Sequence, residues 1–180
     1  MTEAFKAFEP GIEVVGGTIL ATIDGMEADI NPLLAKHGIE TVVADHWYPQ
    51  QAWLDVLKDI SDGGDMSAMF DLVSIGTKIP DNVTWPPEIN SVESALMSID
   101  VAYHMNHRGG KIGSYTAEIL ETNHIRITCD NPYPSDFDYG ILYRTVQKFK
   151  SQGEDFSVQR ANSPSRLKGD DRCVYDITWG

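Results

Sequence analysis

The feature that most constrains the fold is a change of period in the last third of the chain. Ile125, Ile127 and Cys129 alternate with His124, Arg126 and Thr128, the pattern of a strand with one buried face. Asn131-Pro132-Tyr133-Pro134 interrupts it, and Asp138 to Phe149 then carries Ile141, Leu142, Val146 and Phe149 at helical spacing. Phe156–Arg160 and Cys173–Trp179 return to strand, separated by the polar stretch Asn162–Asp171. Upstream, Tyr115, Ala117 and Ile119 alternate with Thr116, Glu118 and Leu120, and Thr122-Asn123 fits a tight turn. Four late strands therefore form one antiparallel sheet.

The first half reads differently. Trp53, Val56, Leu57 and Ile60 form one apolar helix face, opened by Pro49 and closed by Gly63-Gly64. Asn31-Pro32 starts a short helix that Gly38 ends. Asp65 caps a second amphipathic run through Met66, Met69, Phe70 and Val73. Ser91 precedes Val92, Ala95, Leu96, Ile99 and Tyr103, with Gly109-Gly110 as terminator. Residues 79–90, holding Pro80, Pro86 and Pro87, read as a loop around Trp85. Glu13–Ile23 is β-branched and reads as a strand weakened at Gly16-Gly17. The fold class is α+β: N-terminal helices packed on a C-terminal antiparallel sheet of about four strands. At 180 residues the chain is one domain, residues 1–90 mostly helical and 91–180 a helix plus the sheet.

Charge narrows the function classes. The net charge is -13, which repels phosphate backbones and anionic membrane surfaces, so nucleic acid and membrane are excluded as partners. No apolar run reaches the roughly 20 residues of a membrane span. The start of the chain lacks a signal-peptide pattern, and two cysteines, Cys129 and Cys173, are too few for a disulfide scaffold. A cytoplasmic setting is expected. Both thiols fall on inward strand positions and read as inert. No nucleophile elbow, dinucleotide loop or phosphate loop is present.

Tyr103-His104-Met105-Asn106-His107-Arg108 is the densest group of chemistry-bearing residues. On one helix His104 and His107 share a face and could hold a metal or an anion, or act as acid and base beside Asp100 or Glu93. The plainer reading has His107 and Arg108 complementing the helix dipole. Asp130, Asp136 and Asp138 read as a polar turn and a helix cap, without the calcium-loop order. Trp47, Tyr48 and Trp53 read as core, or as pocket lining with Phe70, Trp85 and Tyr103.

Asn131-Pro132-Tyr133-Pro134, Tyr139-Gly140-Ile141-Leu142 and Cys173-Val174-Tyr175-Asp176-Ile177 together resemble the vinyl-reductase-type ligand-binding domain. Its wider group includes haem-nitric-oxide-binding domains and Golgi transport-particle subunits. The resemblance implies a non-catalytic binding or sensor domain for a small hydrophobic or aromatic molecule, with a pocket between helices and sheet. Tyr103, His104, His107, Arg108, Trp85 and Tyr115 are the candidate ligand-binding residues. Alternatives are a module that dimerises through a helix, making a homodimer, and a small enzyme using the His104/His107 pair. Sensor relatives hold zinc through cysteines and a glutamate. Here Ser135 and Ser157-Val158-Gln159-Arg160-Ala161 leave only Cys173, so zinc is not expected. Haem domains of the group use a helix histidine and a Tyr-x-Ser-x-Arg motif. Tyr115-Thr116-Ala117-Glu118-Ile119 lacks its serine and arginine, so haem is disfavoured and the cofactor stays undetermined.

Overall fold

A three-residue strand is not stable alone, and Glu13-Val14-Val15 is held by pairing on both edges. The structure, a computed structural model, describes residues 5–24, 29–62 and 72–180. β1 (Glu13–Val15) leads directly into α1 (Gly16–Ile23), followed by α2 (Asn31–Lys36), β2 (Trp47–Pro49) and α3 (Gln50–Ser61). α4 (Leu72–Asn82), α5 (Val92–Asn106) and β3 (His107–Arg108) come next. β4 (Ser114–Glu121), β5 (His124–Asp130), α6 (Ser135–Phe149), β6 (Phe156–Arg160), a short 3-10 turn at Arg166–Lys168 and β7 (Cys173–Trp179) complete it.

The expected sheet is present. Its order is β4-β5-β7-β6 and every pairing is antiparallel. Asn123 turns the β4–β5 hairpin with φ 58°, a conformation asparagine tolerates. The inner face buries Ile125, Ile127, Cys129, Cys173, Tyr175 and Ile177 completely. The outer face pairs Arg126 with Asp176 directly across the strands. Cys129 and Cys173 are opposite one another, buried and free. Neither Asp136 nor Asp138 caps α6, whose N-cap is Pro134: Asp136 pairs with Arg160 at 2.6 Å, and Asp138 is buried.

Three readings change. Only residues 13–15 of the first apolar stretch are strand, because the chain turns helical at Gly16. The Gly16 and Gly17 N–H groups donate to His46 and Ala44 carbonyls, and a Cβ on Gly16 would meet the Val43 oxygen at 2.0 Å. The presumed loop at residue 79 is still α4, which runs through Pro80 to Asn82. Pro80 has no N–H to give the Gly76 carbonyl, so α4 lacks one bond where it approaches its end. Third, the helix bearing His104 stops at Asn106, so β3 can pair with β1, a small second sheet of order β2-β1-β3. Val14 faces His107 in that pairing. The run expected at Asp65, Met66, Met69 and Phe70 lies outside the described residues.

α6 lies between the sheet and α4. Where α4 crosses it, a Cβ on Gly76 would stand 2.2 Å from the Phe137 oxygen, and one on Gly140 2.2 Å from the Val73 oxygen. Glycine is therefore required on both helices for the backbones to touch.

Candidate functional site

α5 supplies most of the site. Ser91 closes its first turn, its hydroxyl accepting from the Ser94 N–H at 3.1 Å in a reciprocal capping box. At the other end His107 is extended, with φ -134° and ψ 149°. That break separates the two histidines, which do not share a helix face. His107 turns inward and is 6% exposed, whereas the His104 side chain stays outside at 49%.

Nδ1 of His107 lies 2.8 Å from the Tyr103 carbonyl oxygen, which can only accept, so Nδ1 carries the proton. Nε2 is then an acceptor and receives the Tyr133 hydroxyl at 2.7 Å. Burial pushes the His107 pKa down to about 4, so the ring is neutral at ordinary pH. Tyr103 donates its hydroxyl to the Ile112 carbonyl at 2.5 Å, and Tyr115 donates to Asp138 Oδ1 at 2.6 Å. Burial raises the pKa of all three phenols, which stay protonated. The rings contact one another: the Tyr103 and His107 centroids are 4.1 Å apart, and Tyr133 stacks on Phe137 at 5.3 Å.

This aromatic group is the floor of a cavity of about 340 Å³ between α4, α5 and α6. Trp85 closes one side, its indole N–H donating to the Pro80 carbonyl at 2.9 Å and its ring edge against Phe149. Val83, Val101 and Met105 form the rim and are 37%, 62% and 74% exposed. Among the described residues no Asp, Glu, Lys or Arg lines the space. Of the six residues singled out from the sequence, Trp85, Tyr103, His107 and Tyr115 line this cavity. His104 and Arg108 do not; they border an outer depression with Lys111 and Asp130. Arg108 donates to Glu13 at 2.7 Å and lies 4.2 Å over the Trp47 ring, so it does not complement a helix end. Trp53 is core, and Trp47 and Tyr48 do not line the cavity.

Several members escaped the sequence reading. Tyr133 and Phe137 were visible only as parts of a turn and a helix start. Gln50, fully buried beside the Tyr103 and Tyr133 phenols, carried no signal. Behind Tyr115, Asp138 is 0% exposed and pairs with Arg166, itself 1% exposed. Arg166 also donates to the Asn131 carbonyl at 2.6 Å. Burial raises the Asp138 carboxyl pKa, with Arg166 and the Tyr115 and Asn131 hydrogen bonds acting against it. Burial opposes the Arg166 charge too, but Asp138 holds it protonated.

No protein-family model and no curated protein sequence matches the chain. Solved structures share the fold. An H-NOX protein from S. oneidensis in the Fe(II)NO ligation state superposes with a TM-score of 0.70 at 14% identity, covering 92% of this chain and 99% of that one. The SO2144 H-NOX domain from Shewanella oneidensis in the Fe(II)CO state gives 0.67 at 16%, covering 92% and 98%. An oxygen-binding H-NOX domain related to soluble guanylate cyclases gives 0.63 at 15%, covering 91% and 92%. The α+β architecture is thus that of the haem-nitric-oxide-binding group.

Histidine ligation of a haem needs a free ring-nitrogen lone pair for the iron, and the propionates need cations. The His107 lone pair is taken by Tyr133, and His104 bonds the Asp100 carbonyl at 2.9 Å outside the cavity. A Tyr-x-Ser frame does occur at Tyr133-Pro134-Ser135-Asp136-Phe137, but phenylalanine stands where the motif has arginine. Ser135 is buried with its hydroxyl 2.9 Å from Cys173 Sγ. The residues present do not fit haem.

Proposed function

We propose that this chain is a non-catalytic small-molecule-binding domain of the sensor type, with its ligand in the α4–α5–α6 cavity. One observation carries the reading. A cavity of about 340 Å³ is walled by aromatic and aliphatic side chains and floored by neutral polar groups bonded to one another. That volume lies in the roughly 300–1,000 Å³ range of ligand sites, and apolar walls give affinity through burial of ligand surface. Tyr103, His107, Tyr115 and Trp85 are the contacts; His104 and Arg108 border the outer depression instead. The H-NOX neighbours, described in gas-ligated states, support a sensing role on the same fold. The short vinyl-reductase-like motifs support the haem-free branch of the group. A catalytic role has less support, because both His107 nitrogens are engaged and Asp100 accepts from the Tyr115 N–H at 2.7 Å.

Native mass spectrometry of the purified protein tests the reading. An added organic mass is expected on the wild type and not on Ala102→Trp, which places an indole at the cavity rim. Loss of the adduct by that variant at unchanged circular dichroism supports the site; an identical adduct on both refutes it. The same spectrum reads the assembly. Met97, Val101 and Met105 expose an apolar stripe at four-residue spacing on α5, and an empty dimer would favour self-association through it.

A further inference from the structure

We infer that the cavity selects an uncharged molecule of about two fused rings or equivalent branched bulk, and rejects charged molecules of the same shape. This rests on the cavity being the ligand site and specifies what enters it. The first observation is where the charges are. Three charged groups close to the floor are already partnered. Asp100 accepts from the Tyr115 backbone, Arg108 pairs with Glu13, and Asp138 pairs with Arg166 behind the Tyr115 ring. A carboxylate or ammonium entering the space would lose its water and find no counter-charge among the described lining residues.

The second observation is that the floor is closed to strong hydrogen bonding. The hydroxyl protons of Tyr103, Tyr115 and Tyr133 are donated to Ile112, Asp138 and His107, and the Asn106 amide donates to the Ala102 carbonyl at 2.7 Å. Those phenol protons are committed, so an anion would find only neutral donors such as the Thr18 and Thr84 hydroxyls. The neutral His107 cannot serve as a cation, and its lone pair is occupied. The third observation is size. An apolar cavity of roughly 150 Å³ admits benzene, so about 340 Å³ admits a bicyclic skeleton. The net charge of -13 adds a long-range penalty for anions.

The test uses three probes with one skeleton: 2-naphthalenemethanol, 2-naphthoate and 2-naphthylmethylammonium, titrated calorimetrically at neutral pH into wild type and Ala102→Trp, with haemin as a fourth. The alcohol is expected to bind, each ion at least about tenfold more weakly, and Ala102→Trp to lose the alcohol. Haemin is expected to give no Soret shift that Ala102→Trp abolishes. Naphthoate or the ammonium binding as tightly as the alcohol overturns the selection for neutral ligands, as does a haemin Soret band that the variant removes; either result leaves the cavity as the ligand site. Binding of none of the probes, or alcohol binding unchanged in Ala102→Trp, overturns the site and this inference together.

Discussion

The two faces of α6 handle polarity in opposite ways. Towards the sheet, Asp138 meets Arg166 in a fully buried ion pair, to which Asn131 and Tyr115 add further hydrogen bonds. Towards α5, Phe137, Ile141 and Thr145 face an open cavity whose polar groups are all uncharged. One helix thus separates a charged, filled interior from a neutral, hollow one. Full charge is tolerated where an opposite charge and fixed hydrogen bonds meet it, and is absent from the lining of the open space.

Breaking the filled side is expected to have the largest effect. Arg166→Met strands the Asp138 carboxylate and should cost about 3–5 kcal/mol in urea unfolding. Adding Asp138→Leu to it should recover most of that loss, and no recovery would show that the pair is not the cause. The hollow side responds to acid instead. His107 has a folded pKa near 4 against an ordinary value near 6.5, so the unfolded chain binds the proton first. Its contribution is complete above about pH 6.5 and is lost as pH falls towards 4, on the order of 3 kcal/mol in all. His107→Phe should flatten that part of the stability–pH curve, and an unchanged slope would show that another group titrates. The smallest effect should come from His104→Ala, which leaves the cavity wall intact. Stability should move by less than about 0.5 kcal/mol, with naphthalenemethanol affinity within twofold. A larger loss of affinity would return the outer depression to the site.

Much of the fold could be read from local pattern. β6 and β7 match the expected Phe156–Arg160 and Cys173–Trp179, because alternation and flanking turn residues act over a few positions. The α5 start at Ser91 was legible for the same reason. What escaped depends on distant partners. Nothing near His107 announces that it will pair with Val14, and that pairing ends the helix and turns the ring inward. Arg166 lies in a stretch read as polar loop, and its partner is 28 residues away. The cavity is the clearest case. Trp85, Tyr103 and Tyr115 were recognisable as aromatic, but the space among them exists only through the joint placement of α1, α4, α5 and α6.

The contact between Gly76 and Gly140 bears on how such a hollow can respond. With main chain touching main chain, α4 and α6 have no side-chain cushion to compress and no groove along which to slip. Packing this close leaves little room for one helix to shift against the other. Swelling around a guest therefore falls to α5 and the Trp85 segment, and α5 continues without a linker into the little sheet holding Val14 and Tyr48. A displacement begun at the rim would reach that sheet through His107, which belongs to both the cavity floor and β3.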